Sequence, residues 1–198
     1  MAGRPREFDR ELALAKARDA FWERGYEGVA MSDLVAALGI ASARIYAAFG
    51  SKEELFREAI ALYVEGEGGF ATRALAEEST VRGAIERMLR EAVQLYTRSG
   101  RPQGCMVVSA ATNGSLQNDA VVVWLSEHRS ARTKSIIDRL RVALKAGELK
   151  AGTDVVALGD LYATLLHGLS VQARDGVSKA RLLAMTVPAL AVLELALR

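Results

Sequence analysis

Ile45-Tyr46-Ala47-Ala48-Phe49-Gly50-Ser51-Lys52-Glu53-Glu54-Leu55-Phe56 is the stretch whose reading decides the fold. It contains the end of one helix, a break at Gly50, and the start of another. Ser51 to Glu54 form a capping box, in which the Ser51 hydroxyl accepts from the N3 amide while Glu54 reaches back. That box opens a long helix carrying Leu55, Phe56, Ala59, Leu62 and Tyr63. Upstream, a short helix begins near Ser42 and contains Ile45, Tyr46 and Phe49. Before it, Leu34, Val35 and Leu38 share one face of a helix from about Met31 that stops at Gly39. Earlier still, Leu14, Ala17 and Phe21 make an apolar stripe with a 3.6-residue period, ended by Gly25. Two short helices joined by a glycine turn and packed on a preceding helix make a helix-turn-helix. Gly39 turns the backbone without a Cβ clash, and Leu34, Leu38 and Ile45 bury the angle. The outer face of the third helix shows Ser42, Ala43, Arg44, Tyr46 and Ala47. Small residues permit close approach to a major-groove floor, and an arginine pairs with guanine O6 and N7. An ordinary three-helix subdomain with an exposed tyrosine fits the same pattern.

Downstream, Gly66, Gly68 and Gly69 read as a break or flexible end of the fourth helix. A helix from about Thr80 to Ser99 places Ile85, Met88, Leu89, Ala92, Val93 and Tyr96 on one face. Gly100 to Gly104 is a loop, and the uncharged run from Cys105 to Thr112 favours a buried helix. Asn113-Gly114-Ser115 makes a turn before a long helix from about Asn118 to Ala146, with Leu125, Ile136, Leu140 and Leu144. A helix starting at Thr153 or Asp154 runs to Gly176 and carries Leu161, Tyr162 and Leu166. Ser178 caps the last, to Arg198, where Pro188 should kink the helix or shift its hydrogen bonding. The prediction is an all-α fold of about nine helices.

Composition narrows the classes. Of 198 residues, 34 are alanine and three proline, which favours helices. One cysteine rules out an intramolecular disulfide and fits a reducing compartment. The N-terminus lacks the apolar core of a signal peptide, and no run reaches the roughly 18 apolar residues of a membrane span. A cytoplasmic location and no membrane partner are expected. There is no GxSxG, HExxH, CxxC or phosphate-cradling glycine loop, so no enzyme is expected. Net charge is only +2, and residues 1–52 hold eight Lys/Arg against seven Asp/Glu. Any DNA affinity must therefore come from locally placed cations and from dimerisation.

Leu14 to Phe56 resembles the N-terminal domain of TetR-type (TetR/AcrR) transcriptional regulators. The resemblance is carried by Phe21-Trp22-Glu23-Arg24-Gly25-Tyr26, by Asp33 to Ile40, and by the opening block. Gly104 to Val108 and Gly168 to Gly176 are similar to an AcrR-like subset. The resemblance implies a DNA-binding domain over residues 1–50 and an effector-binding and dimerisation domain over 51–198. It places Tyr46 and Lys52 at phosphate-contacting positions, and Ser42, Arg44 and Ala47 at base- or backbone-facing ones, with Arg44 for direct readout. Arg4 and Arg6 form an arm able to reach a groove, or else a disordered tail. Two positions depart from the family pattern. Ala30 stands where Thr or Ser usually caps the second helix, so either Ser32 caps a shorter one or the cap is missing at a cost of about 1 kcal/mol, and Ala41 stands where Ser often opens the third.

The last two helices, joined at Asp175-Gly176-Val177, make an antiparallel hairpin. The final one is apolar nearly all round, which calls for a partner subunit unless the monomer buries it. Leu158, Leu165, Leu169, Leu183, Val187 and Leu190 are the expected homodimer contacts. A two-fold dimer sets two recognition helices roughly 34 Å apart and predicts a palindromic operator in double-stranded DNA. Met88, Tyr96, Cys105, Trp124, His128, Tyr162 and His167 are the candidate effector contacts, each also readable as ordinary core. Cys105 and two histidines lack metal-ligand spacing, so no metal or cofactor is expected, and thiol sensing would need an exposed, electropositive setting. The expected function is a ligand-responsive repressor released by a small, largely apolar effector, with the fourth helix as the lever. The alternative is a helical interaction protein without sequence-specific DNA binding.

Overall fold

The computed structural model describes residues 8–110 and 119–198. Arg4, Arg6 and the Asn113-Gly114-Ser115 turn lie outside the described residues. The described chain holds ten α-helices and no strand: α1 Arg10–Arg24, α2 Met31–Leu38, α3 Ser42–Phe49, α4 Lys52–Glu65, α5 Phe70–Glu77, α6 Val81–Tyr96, α7 Met106–Ser109, α8 Asp119–Lys145, α9 Val155–Arg174 and α10 Lys179–Ala196.

The N-terminal helices start and stop at local signals. The Asp9 carboxylate accepts from Leu12 N at 3.0 Å and caps α1. Gly39 adopts φ +72°, and the axes of α2 and α3 then lie 93° apart. Leu34, Leu38 and Ile45 are buried in that angle. The Ser51 hydroxyl accepts from Glu54 N at 3.0 Å. The Glu54 carboxylate folds back into the space that a side chain on Gly50 would take.

The glycine cluster after α4 corrects the flexible-end reading. Glu67–Gly69 form a 3-10 turn in which Gly68 and Gly69 are buried. A Cβ on Gly68 would lie 2.4 Å from the Tyr63 ring, so the joint is packed tight. It leads into α5, which the sequence reading passed over. α5 has eight residues, and the glycine before it offers no capping side chain. It is held by tertiary contacts, chiefly the burial of Phe70, Ala71, Ala74 and Leu75.

α6 packs on α5, α9 and α10, and α8 packs along α9. α10 runs through Pro188 and ends at Ala196, short of the expected Arg198. The chain end instead pairs with the α8–α9 connection. Lys150 N donates to Ala196 O at 2.8 Å, and Arg198 N donates to Glu148 O at 3.0 Å. One buried cluster runs from Ala13 through Phe21, Phe56 and Tyr63 to Leu193, so both halves share a core. No single described helix is long and apolar enough to cross a membrane.

Candidate nucleic-acid interface and internal cavity

The outward side of α3, opposite buried Ile45 and Phe49, exposes Ser42, Arg44, Tyr46 and Ala47; Tyr46 is 49% exposed. Ser32 is exposed on α2. Lys52 behaves differently. It is half-buried, and its ammonium lies 4.3 Å from the centre of the Tyr26 ring. Burial pulls its pKa down from the ordinary lysine value.

A polar frame holds these helices in place. The Arg10 guanidinium donates to Ala48 O at 3.3 and 3.2 Å and to Glu58 at 2.8 Å, and it covers the Phe49 ring. α1, α3 and α4 are thereby clamped together. Neither Ala30 nor Ala41 supplies a side-chain cap. Ser32 does not cap a shortened helix, because α2 already begins at Met31. The Asp33 carboxylate does the work from inside the first turn, accepting from Ala30 N at 2.7 Å and pairing with Arg24 at 3.1 Å. The Ala30 amide bond, and then Arg24, hold the Asp33 carboxyl below its ordinary pKa.

The end of α1 is also latched to the C-terminal half. The Trp22 indole donates to Gly104 O at 3.0 Å and meets Tyr63 edge-on at 4.8 Å. Arg174 of α9 donates to the carbonyls of Trp22 and Glu23 at 3.3 and 3.1 Å. Cys105 N donates to the Ser170 hydroxyl at 2.8 Å. Gly104 has φ +76°, and a Cβ there would lie 2.7 Å from Ser170 O, so only glycine fits this crossing. α4 is therefore not the sole connection between the halves.

A cavity of about 140 Å³ lies between α4, α5, α6, α7, α8 and α9. Of the predicted effector residues, Tyr96, Cys105, His128 and His167 line it. Met88, Trp124 and Tyr162 do not. Met88 is wholly buried in the core, and the Tyr162 hydroxyl donates to Ala189 O at 2.9 Å. Trp124 sits outside, 6.2 Å from Phe56 and 4.5 Å from His128 by ring centres, beneath the Arg57 guanidinium. Helical periodicity marks buried faces, but it does not say which buried face borders a void. The sequence reading missed Arg129 and Arg132, which also line the cavity with Thr72 and Ser135. Their charge marks them as solvent-facing by pattern, although His128, Arg132 and Ser135 recur at helical spacing on one face. The lining therefore sets two arginines and two histidines beside apolar side chains. Burial lowers the pKa of both histidines, and for His167 the two arginines lower it further. Cys105 is buried and receives the Tyr63 hydroxyl at 3.6 Å, so it lacks the exposed setting that thiol sensing requires.

Three of the six expected dimer contacts need correction. Leu158, Leu169 and Leu190 are buried within the chain itself, and Leu165 and Leu183 are half-buried. Val187 is 70% exposed. The outward apolar face of α9 and α10 instead consists of Leu161, Val171, Met185, Val187, Val192 and Leu195, the last 76% exposed. Where a helix is apolar on two sides, pattern alone does not tell the inner stripe from the outer one.

Residues 13–59 match the family described as bacterial regulatory proteins, tetR family. The chain is 29% identical to the HTH-type transcriptional repressor ComR of Escherichia coli K12 over 182 residues, covering 91% of this chain and 87% of ComR. It is 32% identical to the HTH-type transcriptional regulator YezE of Bacillus subtilis 168, covering 79% of this chain and 81% of that protein. Among solved structures, a cysteine mutant of the TetR family regulator CifR, complexed with 26-bp double-strand operator DNA, superposes with a TM-score of 0.91. That match is 43% identical and covers 96% of this chain and 98% of CifR. The orthogonal helix pair and the full-length similarity agree, and the chain belongs to the tetR family of bacterial regulatory proteins.

Proposed function

We propose that this protein is a ligand-responsive transcriptional repressor that binds a palindromic operator as a homodimer. The observation that carries this reading is the 93° helix pair exposing Ser42, Arg44, Tyr46 and Ala47 on its outer face, in a chain similar to an operator-bound regulator. Residues 1–50 form the DNA-binding unit and residues 51–198 the sensing and dimerisation unit. Arg44 reads a base edge, while Tyr46 and the first turn of α4 at Lys52 meet phosphates. Ser42, Ala47 and Ser32 keep the approach close. The protein acts in the cytoplasm as a regulator and carries no reaction of its own.

The exposed apolar stripe on α9 and α10 is the dimer face, giving a four-helix contact across a two-fold axis. The cavity is the effector site. Its Cys105 wall is continuous with Gly104, whose carbonyl holds the Trp22 indole of α1. An occupant that shifts α7 moves that carbonyl and tilts α1 with the helices clamped to it. A coupling of about 1–3 kcal/mol between the sites suffices for release. The test is a fluorescence anisotropy titration against DNA flanking the protein's own gene. A site bound at least about 1,000-fold more tightly than bulk DNA at physiological salt is expected. Equal affinity for all sequences would reject the reading.

A further inference from the structure

We infer that the cavity takes a small organic carboxylate, held through its charge by Arg129 and Arg132. This deepens the effector reading above and rests on it. Size sets the first limit. Apolar cavities of about 150 Å³ accept benzene, so a void of about 140 Å³ suits an occupant of similar bulk.

Charge sets the second limit. Arg129 and Arg132 lie one helical turn apart on α8, and both reach the cavity. Most of the described arginines sit against carboxylates, as Arg87 does against Glu77, Glu78 and Glu91. Among the described residues neither Arg129 nor Arg132 has such a partner. Nη1 of Arg129 is buried and donates to no partner among the described residues. A desolvated guanidinium N–H left unpaired is costly, and an oxyanion beside it offsets that cost. Arg132 is anchored from behind, donating to Gly68 O at 3.0 Å with its guanidinium over the Phe70 ring. One bond uses one of its five donors. Partial burial biases the two half-buried histidines to the neutral form, so the two guanidiniums supply the positive charge of the site.

The remaining wall selects among anions. Val107, Val108 and Leu166 present apolar surface, which suits a short aliphatic or aromatic tail and wastes the fourth oxygen of a free phosphate. A planar carboxylate also matches the guanidinium fork in two parallel bonds.

The experiment is calorimetric titration of the full-length protein with hexanoate, hexanamide, benzoate, benzamide and inorganic phosphate. The same probes are added to the protein–DNA complex in the anisotropy assay. The carboxylates are expected to bind at least tenfold more tightly than the matching amides and to release DNA. Arg129→Gln should bring each carboxylate down to the level of its amide and keep a cooperative melt by circular dichroism. Arg129→Lys should restore part of the difference. Amides binding as well as carboxylates in the unaltered protein would overturn the inference, and so would an undiminished preference in Arg129→Gln. If the amides then release DNA, the effector reading survives without the carboxylate. If no organic probe binds or releases DNA, both readings fall. Phosphate binding more tightly than either carboxylate would assign an inorganic oxyanion site and overturn the organic one.

Discussion

Arg44 and Arg129 carry the same side chain on two helices of one chain, and they show how differently its halves work. Arg44 projects from α3 at the surface, while Arg129 lines a cavity with one nitrogen buried and unpaired. The helix-turn-helix works outward. Its helices are short, glycines stop them, and its recognition surface is whatever the buried residues leave outside. The half proposed to sense an effector works inward. Its functional surface is a gap among six helices, built from residues far apart in sequence. The local rules that describe the first region say little about the second.

The sharpest way to break this contrast is at the joint between the halves. Trp22→Ala removes a buried ring, its contact with Tyr63 and the bond to Gly104 O. Destabilisation of about 3–5 kcal/mol is expected from urea unfolding. Two separate transitions in the unaltered protein would show instead that the halves do not share one core. Trp22→Phe tests coupling alone, since it keeps most of the packing while loosening the link between ligand and DNA.

The outer face of α9 and α10 comes next. Val187→Glu places a charge where a partner subunit is proposed to cover the surface. A dimer dissociation constant weakened by roughly 100-fold, about 3 kcal/mol, is expected from sedimentation. Leu158→Ala, by contrast, should lower monomer stability and leave association intact, because Leu158 is buried within its own chain. A reversal of these two outcomes would restore the inner stripe as the interface.

On the DNA side, Arg44→Ala should cost about 1–3 kcal/mol at one base pair and relax specificity there. Lys52→Ala should weaken all sequences nearly alike. It should also lower stability, because Lys52 covers the Tyr26 ring. A specificity change at Lys52 without a stability change would reverse these roles.

The smallest effect concerns Asp33. Its native pKa lies below the unfolded value, so its stabilisation is present above about pH 4 and is lost as pH falls through the native pKa. The stability gap between the unaltered protein and Asp33→Ala should narrow on acidification in that window. A gap that widens there would contradict the hydrogen bond to Ala30.

Legibility follows the same division. The bounds of α2 and α3 can be read residue by residue, because Gly39 and Gly50 stop helices whose buried faces are short and regular. α5 escapes, since an eight-residue helix after a glycine turn has no local start signal. The Asp33 substitute for the missing cap at Ala30 is three residues away, close enough to find by looking for a carboxylate at the third helical position. Tyr96, Cys105, His128 and His167 are recognisable as chemistry-bearing residues among apolar ones, but their convergence on one void is not. Arg129 and Arg132 are hidden by the sound general rule that charged residues face water.

The pattern of apolar residues and glycine stops was enough to establish an all-helical chain with an N-terminal helix-turn-helix, because those signals act over a few residues through backbone sterics and periodic burial. Tertiary packing decided which face of α10 looks outward, which side chains border the cavity, and that Gly104 and Trp22 join the halves. Each of these depends on surfaces that meet only when distant segments are brought together, and a spacing along one helix carries no record of its neighbour.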